Sequence, residues 1–162
     1  MRKTDRLSIV FVCLGNICRS PMAERIAEKM ASDAGLTNVL FTSAATSTEE
    51  IGNPIDPRAV KVLNSGEYRS SDHRAHQITA SEVQESDLIV CMETFHRDRI
   101  LRLVPGSSNL ALMTDFDPDA VRGSGIDDPW YGSITDFEVT RSELEKAMPG
   151  LLDWIRDRLA AE

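Results

Sequence analysis

The sequence is poor in cysteine, in positive charge and in long apolar runs, and each shortage removes a class of protein. Its three cysteines, Cys13, Cys18 and Cys91, make no even disulfide framework and are too few for a four-cysteine zinc site. A reducing cytoplasm is the compartment this implies. Eighteen Lys and Arg against 26 Asp and Glu leave a formal net charge of -8, the wrong sign for a general nucleic-acid binder, which needs clustered positive charge. No window reaches the roughly 18 apolar residues of a membrane span. Met1-Arg2-Lys3 and the apolar run Leu7 to Leu14 imitate a secretion signal, yet no small-x-small cleavage site follows and Arg19 arrives early. The chain holds no internal repeat or low-complexity stretch. With 162 residues, 41% of them hydrophobic and 27% charged, it has the size and balance of one globular domain spanning residues 1–162.

The pattern of what remains is that of alternating strands and helices. Leu7 to Val12 is short, β-branched and almost continuously apolar, as a strand buried on both faces must be. Ser20-Pro21 then reads as a helix start, with Ser20 at the N-cap, Pro21 in the first turn, and Gly35 as the stop. Further strands fit Val39 to Ala44, Leu88 to Met92 and Leu110 to Met113. Helices fit a segment opened by Pro57 with Val60 and Leu63 inward, Ala80 to Glu85, Thr94 to Val104, and Asp136 to Ala160. Pro149 should kink or split the last of these, because it removes a backbone donor. Residues 45–56 and 115–132 read as polar loops. Such alternation implies βαβ units and a parallel sheet of four strands between two helical layers, with ligands beyond the carboxyl ends of the strands.

The loop from Cys13 to Ser20 joins a strand end to a helix N-terminus, where backbone N–H groups and the helix dipole favour an anion. Gly15 permits a tight turn. A thiolate at Cys13 is favoured by the same dipole and by Arg19, whose planar fork suits a tetrahedral oxyanion. A single cysteine at a strand end is more often packing than chemistry. The density of Cys, Gly, Asn, Arg, Ser and Pro within one turn reverses that expectation.

The string VCLGNICRSPMAE at 12–24, with its CxxxxxRS core, resembles the low-molecular-weight protein tyrosine phosphatases. The resemblance continues through SAATS at 43–47, EIGNP at 50–54, HQIT at 76–79, Cys91-Met92 and DDPWYG at 127–132. It implies a three-layer α/β/α, flavodoxin-like fold with no cofactor or metal, and a protein that is a monomer or weak dimer. It also implies that Cys13 attacks phosphorus and that Leu14, Gly15, Asn16, Ile17, Cys18, Arg19 and Ser20 form the phosphate loop. Arg19 would hold the equatorial oxygens, and Ser20 would hydrogen-bond the thiolate. Asn16 would hold the loop in shape, supported by Ser43 and His73. Asp128 would serve as general acid and then base. Ile17, Glu49, Trp130 and Tyr131 would border the substrate pocket, with simple anchoring of the loop as the other role for the two aromatics. Family tyrosines in this position can themselves be phosphorylated, and by that resemblance only Tyr131 retains the capacity here. Cys18 would be either a redox partner for Cys13 or packing, and Cys91 a core residue. The implied substrate is a phosphotyrosine protein, in bacterial relatives often a tyrosine kinase of polysaccharide export.

Glu49 departs from the aromatic or bulky residue that many relatives carry there, so the rim at Thr48, Glu49 and Glu50 is polar and acidic. Acidic peptides should bind poorly. Two rival activities share this loop. Arsenate reductases need closely spaced relay cysteines, and Cys91 has no such companion; protein-arginine phosphatases typically have Thr where Ile17 stands. A phosphate-binding module without turnover would have to lack a catalytic group, and Cys13, Arg19 and Asp128 are all present. A metal module of Cys13, Cys18, His73 and His76 is the least favoured alternative.

Overall fold

In the computed structural model, residues 6–161 are described, and the Met1-Arg2-Lys3 start lies outside them. The first strand, β1, spans Leu7–Cys13 and pairs in parallel with β2, Val39–Ala45, on one side and β3, Leu88–Cys91, on the other. The last strand, β4, Leu110–Leu112, pairs with β3, giving the order β2-β1-β3-β4. Interleaved with them are α1 (Arg19–Asp33), α2 (Pro57–Ser65), α3 (Ala80–Glu85), α4 (Thr94–Leu103), a 3-10 turn at Met113–Phe116, and α5 (Ile134–Ala160). The expected doubly covered, four-stranded parallel sheet is therefore present.

Strand periodicity explains the two covering layers. Ile9, Phe11 and Cys13 of β1 join the core built with α1, α2 and α5, whereas Val10 and Val12 face the opposite core with Val83 of α3 and Ile100 of α4. Both faces are buried, so β1 has no polar alternation. Register places the ends of β1 and β2 together, with Cys13 beside Ala45, and Val12 beside Cys91 of β3. The nucleophile candidate thus stands at the middle of the sheet's carboxyl edge. Among the described residues no helix is long and apolar enough to cross a membrane.

Three expectations need correction. Helix α1 begins at Arg19 with Cys18 at its N-cap, not at Pro21 with Ser20 as cap. The Ser20 hydroxyl is engaged with Cys13, Asn16 and the Ala44 carbonyl, and caps no helix N–H. The inward face of α2 is Ala59, Val62 and Leu63, with Val60 only half-buried, because 3.6-residue periodicity around Leu63 selects Ala59 and Val62. Helix α5 is not split by Pro149: it runs unbroken from Ile134 to Ala160. Buried residues on both sides of the proline, Leu144, Ala147, Met148, Leu151 and Ile155, fasten each half to the same core and outweigh one missing hydrogen bond. Gly150, the next residue, lets the Phe116 carbonyl approach to 2.1 Å from where a Cβ would stand.

Candidate active site

The loop leaving β1 folds around Asn16, whose φ of 61° lies in the left-handed region. Asn tolerates that region better than most residues. Asn16 is fully buried, and its side chain bonds in three directions. Its Nδ2 donates to Ser20 Oγ at 2.8 Å and to Ser43 Oγ at 2.9 Å, while its Oδ1 accepts from the His76 backbone at 3.2 Å. His73 Nε2 donates to the Asn16 carbonyl at 2.6 Å. Burial lowers the pKa of His73, which keeps the ring neutral around pH 7. Ser43 donates in turn to Glu24 Oε1 at 2.6 Å. Glu24 was not among the sequence candidates, although it falls one helical turn after Ser20 on α1.

Ser20 Oγ lies 3.0 Å from Cys13 Sγ, and the Ser20 backbone N–H donates to the same sulfur at 3.4 Å. The three cysteines differ sharply in environment. Burial, and then the nearby Asp56, Cys13 and Asp128, push the Cys18 thiol far up, so it stays protonated. Cys91 is fully buried in the second core, and its pKa is pushed up to about 12, again by burial. Cys13 and Cys18 are both free thiols.

The Arg19 guanidinium is almost wholly enclosed and tightly held. Its Nη1 donates to Glu93 Oε2 at 2.6 Å and to the Ile126 carbonyl at 2.7 Å, and its Nη2 stands 3.6 Å from Asp128 Oδ2. Glu93 was also absent from the sequence reading. Its signal is its place two residues beyond Cys91, at the carboxyl end of β3, where sites in such sheets form. The Glu93 backbone donates to Nδ1 of buried His96 at 3.0 Å, and burial, with Arg19 and Arg99 adding to it, lowers the His96 pKa to about 3.

The loop after β1, Glu49 and Glu50, and the Asp128 segment line one cleft of about 150 Å³. Cys13, Leu14, Gly15, Ile17, Cys18 and Arg19 of the loop form its floor, and Glu49, Glu50, Asp128, Trp130 and Tyr131 complete the lining. Asn16, Ser20, Ser43 and His73 lie beneath the floor and support it rather than line it. Gly15 packs closely, since a Cβ there would stand 3.2 Å from Glu50 Cγ and the Glu50 side chain would have to shift. Tyr131 stands at the lip, 96% exposed, whereas Trp130 is 39% exposed with the Arg58 guanidinium 5.3 Å from its ring centre. Trp130 is therefore the better placed of the two to flank a flat ring. Asp128 Oδ1 accepts from the Trp130 backbone at 3.0 Å, which fixes the carboxylate within its own turn. His76 pairs with Glu82 at 2.8 Å, remote from the thiols in role and in partner.

The family model for low molecular weight phosphotyrosine protein phosphatase matches residues 8–161. The chain is 38% identical over 159 residues to low molecular weight protein-tyrosine phosphatase A of Mycobacterium tuberculosis, covering 97% of this chain and 96% of that one. It is 34% identical over 158 residues to the low molecular weight phosphotyrosine protein phosphatase of Rattus norvegicus, covering 94% and 98%. Among solved structures, a protein tyrosine phosphatase from Entamoeba histolytica superposes with a TM-score of 0.88 at 29% identity, covering 93% of this chain and 97% of that one. Vibrio vulnificus Wzb in complex with benzylphosphonate does so with a TM-score of 0.79 at 27% identity, covering 90% and 97%. The chain belongs to the low molecular weight phosphotyrosine protein phosphatase family.

Proposed function

We propose that the protein hydrolyses phosphotyrosine in proteins, and small aryl phosphates, through a cysteinyl-phosphate. In the first step the Cys13 thiolate forms an S–P bond as the P–O bond to the phenol breaks. The departing electron pair goes to the phenolic oxygen, which takes a proton from Asp128. In the second step water attacks phosphorus and gives its proton to the Asp128 carboxylate. The S–P bond then breaks, returning the thiolate and releasing inorganic phosphate. Arg19 and the loop N–H groups carry the charge on the phosphoryl oxygens throughout.

The observation that carries this reading is the convergence of Cys13 and Arg19, from one loop, with Asp128, more than a hundred residues further along the chain, on one cleft. Of the three thiols only Cys13 combines a place in that cleft with a backbone N–H donor and a hydroxyl partner at its sulfur. Ile17 and Trp130 add apolar surface suited to an aryl group rather than to a guanidino phosphate. The proposed substrate is thus a phosphoprotein, with neutral or basic residues around the phosphotyrosine.

Hydrolysis of p-nitrophenyl phosphate by the wild type, and its abolition in Cys13→Ser, is the first test. Asp128→Asn should lower kcat by about 10²–10⁴, the usual contribution of a positioned acid. The loss should be smallest for leaving groups that need no proton. An equal loss for every leaving group would remove Asp128 from the role.

A further inference from the structure

Asp128 lies in a polar stretch without regular secondary structure, and it must be held against the nucleophile loop by something outside that stretch. Upstream, Ile126 is anchored twice: its N–H donates to the Met92 carbonyl at 2.8 Å and its carbonyl accepts from Arg19 at 2.7 Å. Downstream, a single side chain does the corresponding work. Arg58 Nη1 donates to the Trp130 carbonyl at 2.9 Å and to the Gly132 carbonyl at 3.0 Å.

The other end of Arg58 is fixed as well. Its Nε and Nη2 donate to the two carboxylate oxygens of Asp56 at 3.1 and 3.0 Å, a bidentate pairing with a buried partner. Asp56 caps α2 by accepting from the Arg58 backbone at 2.8 Å, and its own N–H donates to the Ile17 carbonyl at 2.9 Å. The chain of contacts therefore runs from Ile17, in the nucleophile loop, through Asp56 and Arg58 to the turn that carries Asp128. The guanidinium also lies 4.5 Å from the ring centre of Phe137 at the start of α5, which leaves its plane little freedom to rotate.

We infer that Arg58 is a positioning residue for the general acid, clasping the Asp128 turn to the Cys13 loop through Asp56. It touches neither substrate nor sulfur. Its effect follows from geometry, because an acid displaced by about 1 Å loses on the order of 10²-fold in rate. Lysine cannot replace it: a point charge cannot pair bidentately with Asp56 and still donate to two carbonyls. The inference rests on the proposed role of Asp128.

The experiment is a leaving-group series of aryl phosphates, with kcat/KM measured for wild type, Arg58→Met, Arg58→Lys, Asp128→Asn and the Arg58→Met/Asp128→Asn double variant. Methionine keeps an apolar stem against Phe137 and removes every donor. Arg58→Met should lose about tenfold or more on phenyl phosphate and under about threefold on 2,4-dinitrophenyl phosphate, whose phenolate leaves unprotonated. Arg58→Lys should restore only part of the loss. In the double variant Arg58→Met should add no further leaving-group dependence, because the acid it positions is gone. The comparison between substrates is made on one preparation, so a partly unfolded variant scales every rate alike and leaves the slope unaffected. A steep profile for Asp128→Asn with a flat one for Arg58→Met overturns the inference alone. A flat profile for Asp128→Asn overturns the acid assignment, and the inference with it.

Discussion

Asn16 donates to Ser43 Oγ at 2.9 Å across 27 residues of sequence, a side-chain bond that ties the turn after β1 to the carboxyl half of β2. Through the same amide group Asn16 holds Ser20, which holds Cys13. The position of the sulfur is thus set by a side chain that never reaches the cleft.

Replacing Asn16 should therefore disturb stability and rate together. Asn16→Ala removes both amide donations and the acceptor for His76, and it leaves a β-carbon in the left-handed region at a cost of about 1 kcal/mol. We expect a destabilisation of about 2–4 kcal/mol by urea unfolding, with a lower kcat. Asn16→Gly relieves the backbone and should be less destabilising. Equal losses in the two variants would show that the backbone conformation contributes nothing.

His96 gives the protein an acid-sensitive point. Its folded pKa of about 3 lies below the ordinary value of 6.5, so the unfolded chain binds the extra proton first as pH falls. Its contribution to stability is fully present above pH 6.5 and is lost as pH falls from there toward 3. The loss approaches ~1.4 kcal/mol per pH unit within that window. His96→Gln keeps an acceptor for the Glu93 N–H and cannot titrate. Its unfolding free energy should fall less between pH 6.5 and 5 than that of the wild type. Parallel curves would clear His96 of the effect.

Glu49 is exposed in the cleft lining, with Glu50 half-buried beside it. Glu49→Lys should raise kcat/KM on acidic phosphotyrosine peptides by about three- to tenfold at low salt, and the gain should shrink as salt screens it. Activity on p-nitrophenyl phosphate, which has no flanking charge, serves as the reference. Failure to favour acidic peptides would mean that the rim does not select substrates.

Gly150 tests how α5 is seated. A methyl group there would meet the Phe116 carbonyl at 2.1 Å, so Gly150→Ala should force helix and turn apart. Overpacking of this kind costs about 1–3 kcal/mol, and backbone is less able than a side chain to yield. The Tm should drop while kcat per folded molecule is kept. An unchanged Tm would show that the turn moves freely.

The strands were legible because their signals are local: an apolar run buried on both faces, then a loop dense in turn-forming and anion-binding residues. Cys13 to Ser20 carried its meaning for the same reason, since nucleophile, glycine turn and guanidinium fall within eight consecutive residues. Asp128 needed its motif to be noticed. Ser20 was misread as a helix cap because a Ser-Pro pair is a strong local signal, and only the contacts of its hydroxyl with Cys13 and Asn16 reveal that it is occupied elsewhere. Pro149 does not split α5 either: the rule for an isolated helix yields to burial on both of its sides.

Net negative charge argued against nucleic acid but said nothing against a phosphate enzyme, because attraction at the site is short-ranged and local. The chain's order of residues determined the sheet, the loop and the chemistry that the loop can do. Glu24, Glu93, Asp56 and Arg58 had no meaning until the fold brought them to Ser43, Arg19, Ile17 and the Asp128 turn. Hydrogen-bond partners separated by dozens of residues are selected by packing, and no periodicity along the chain encodes which pairs will meet.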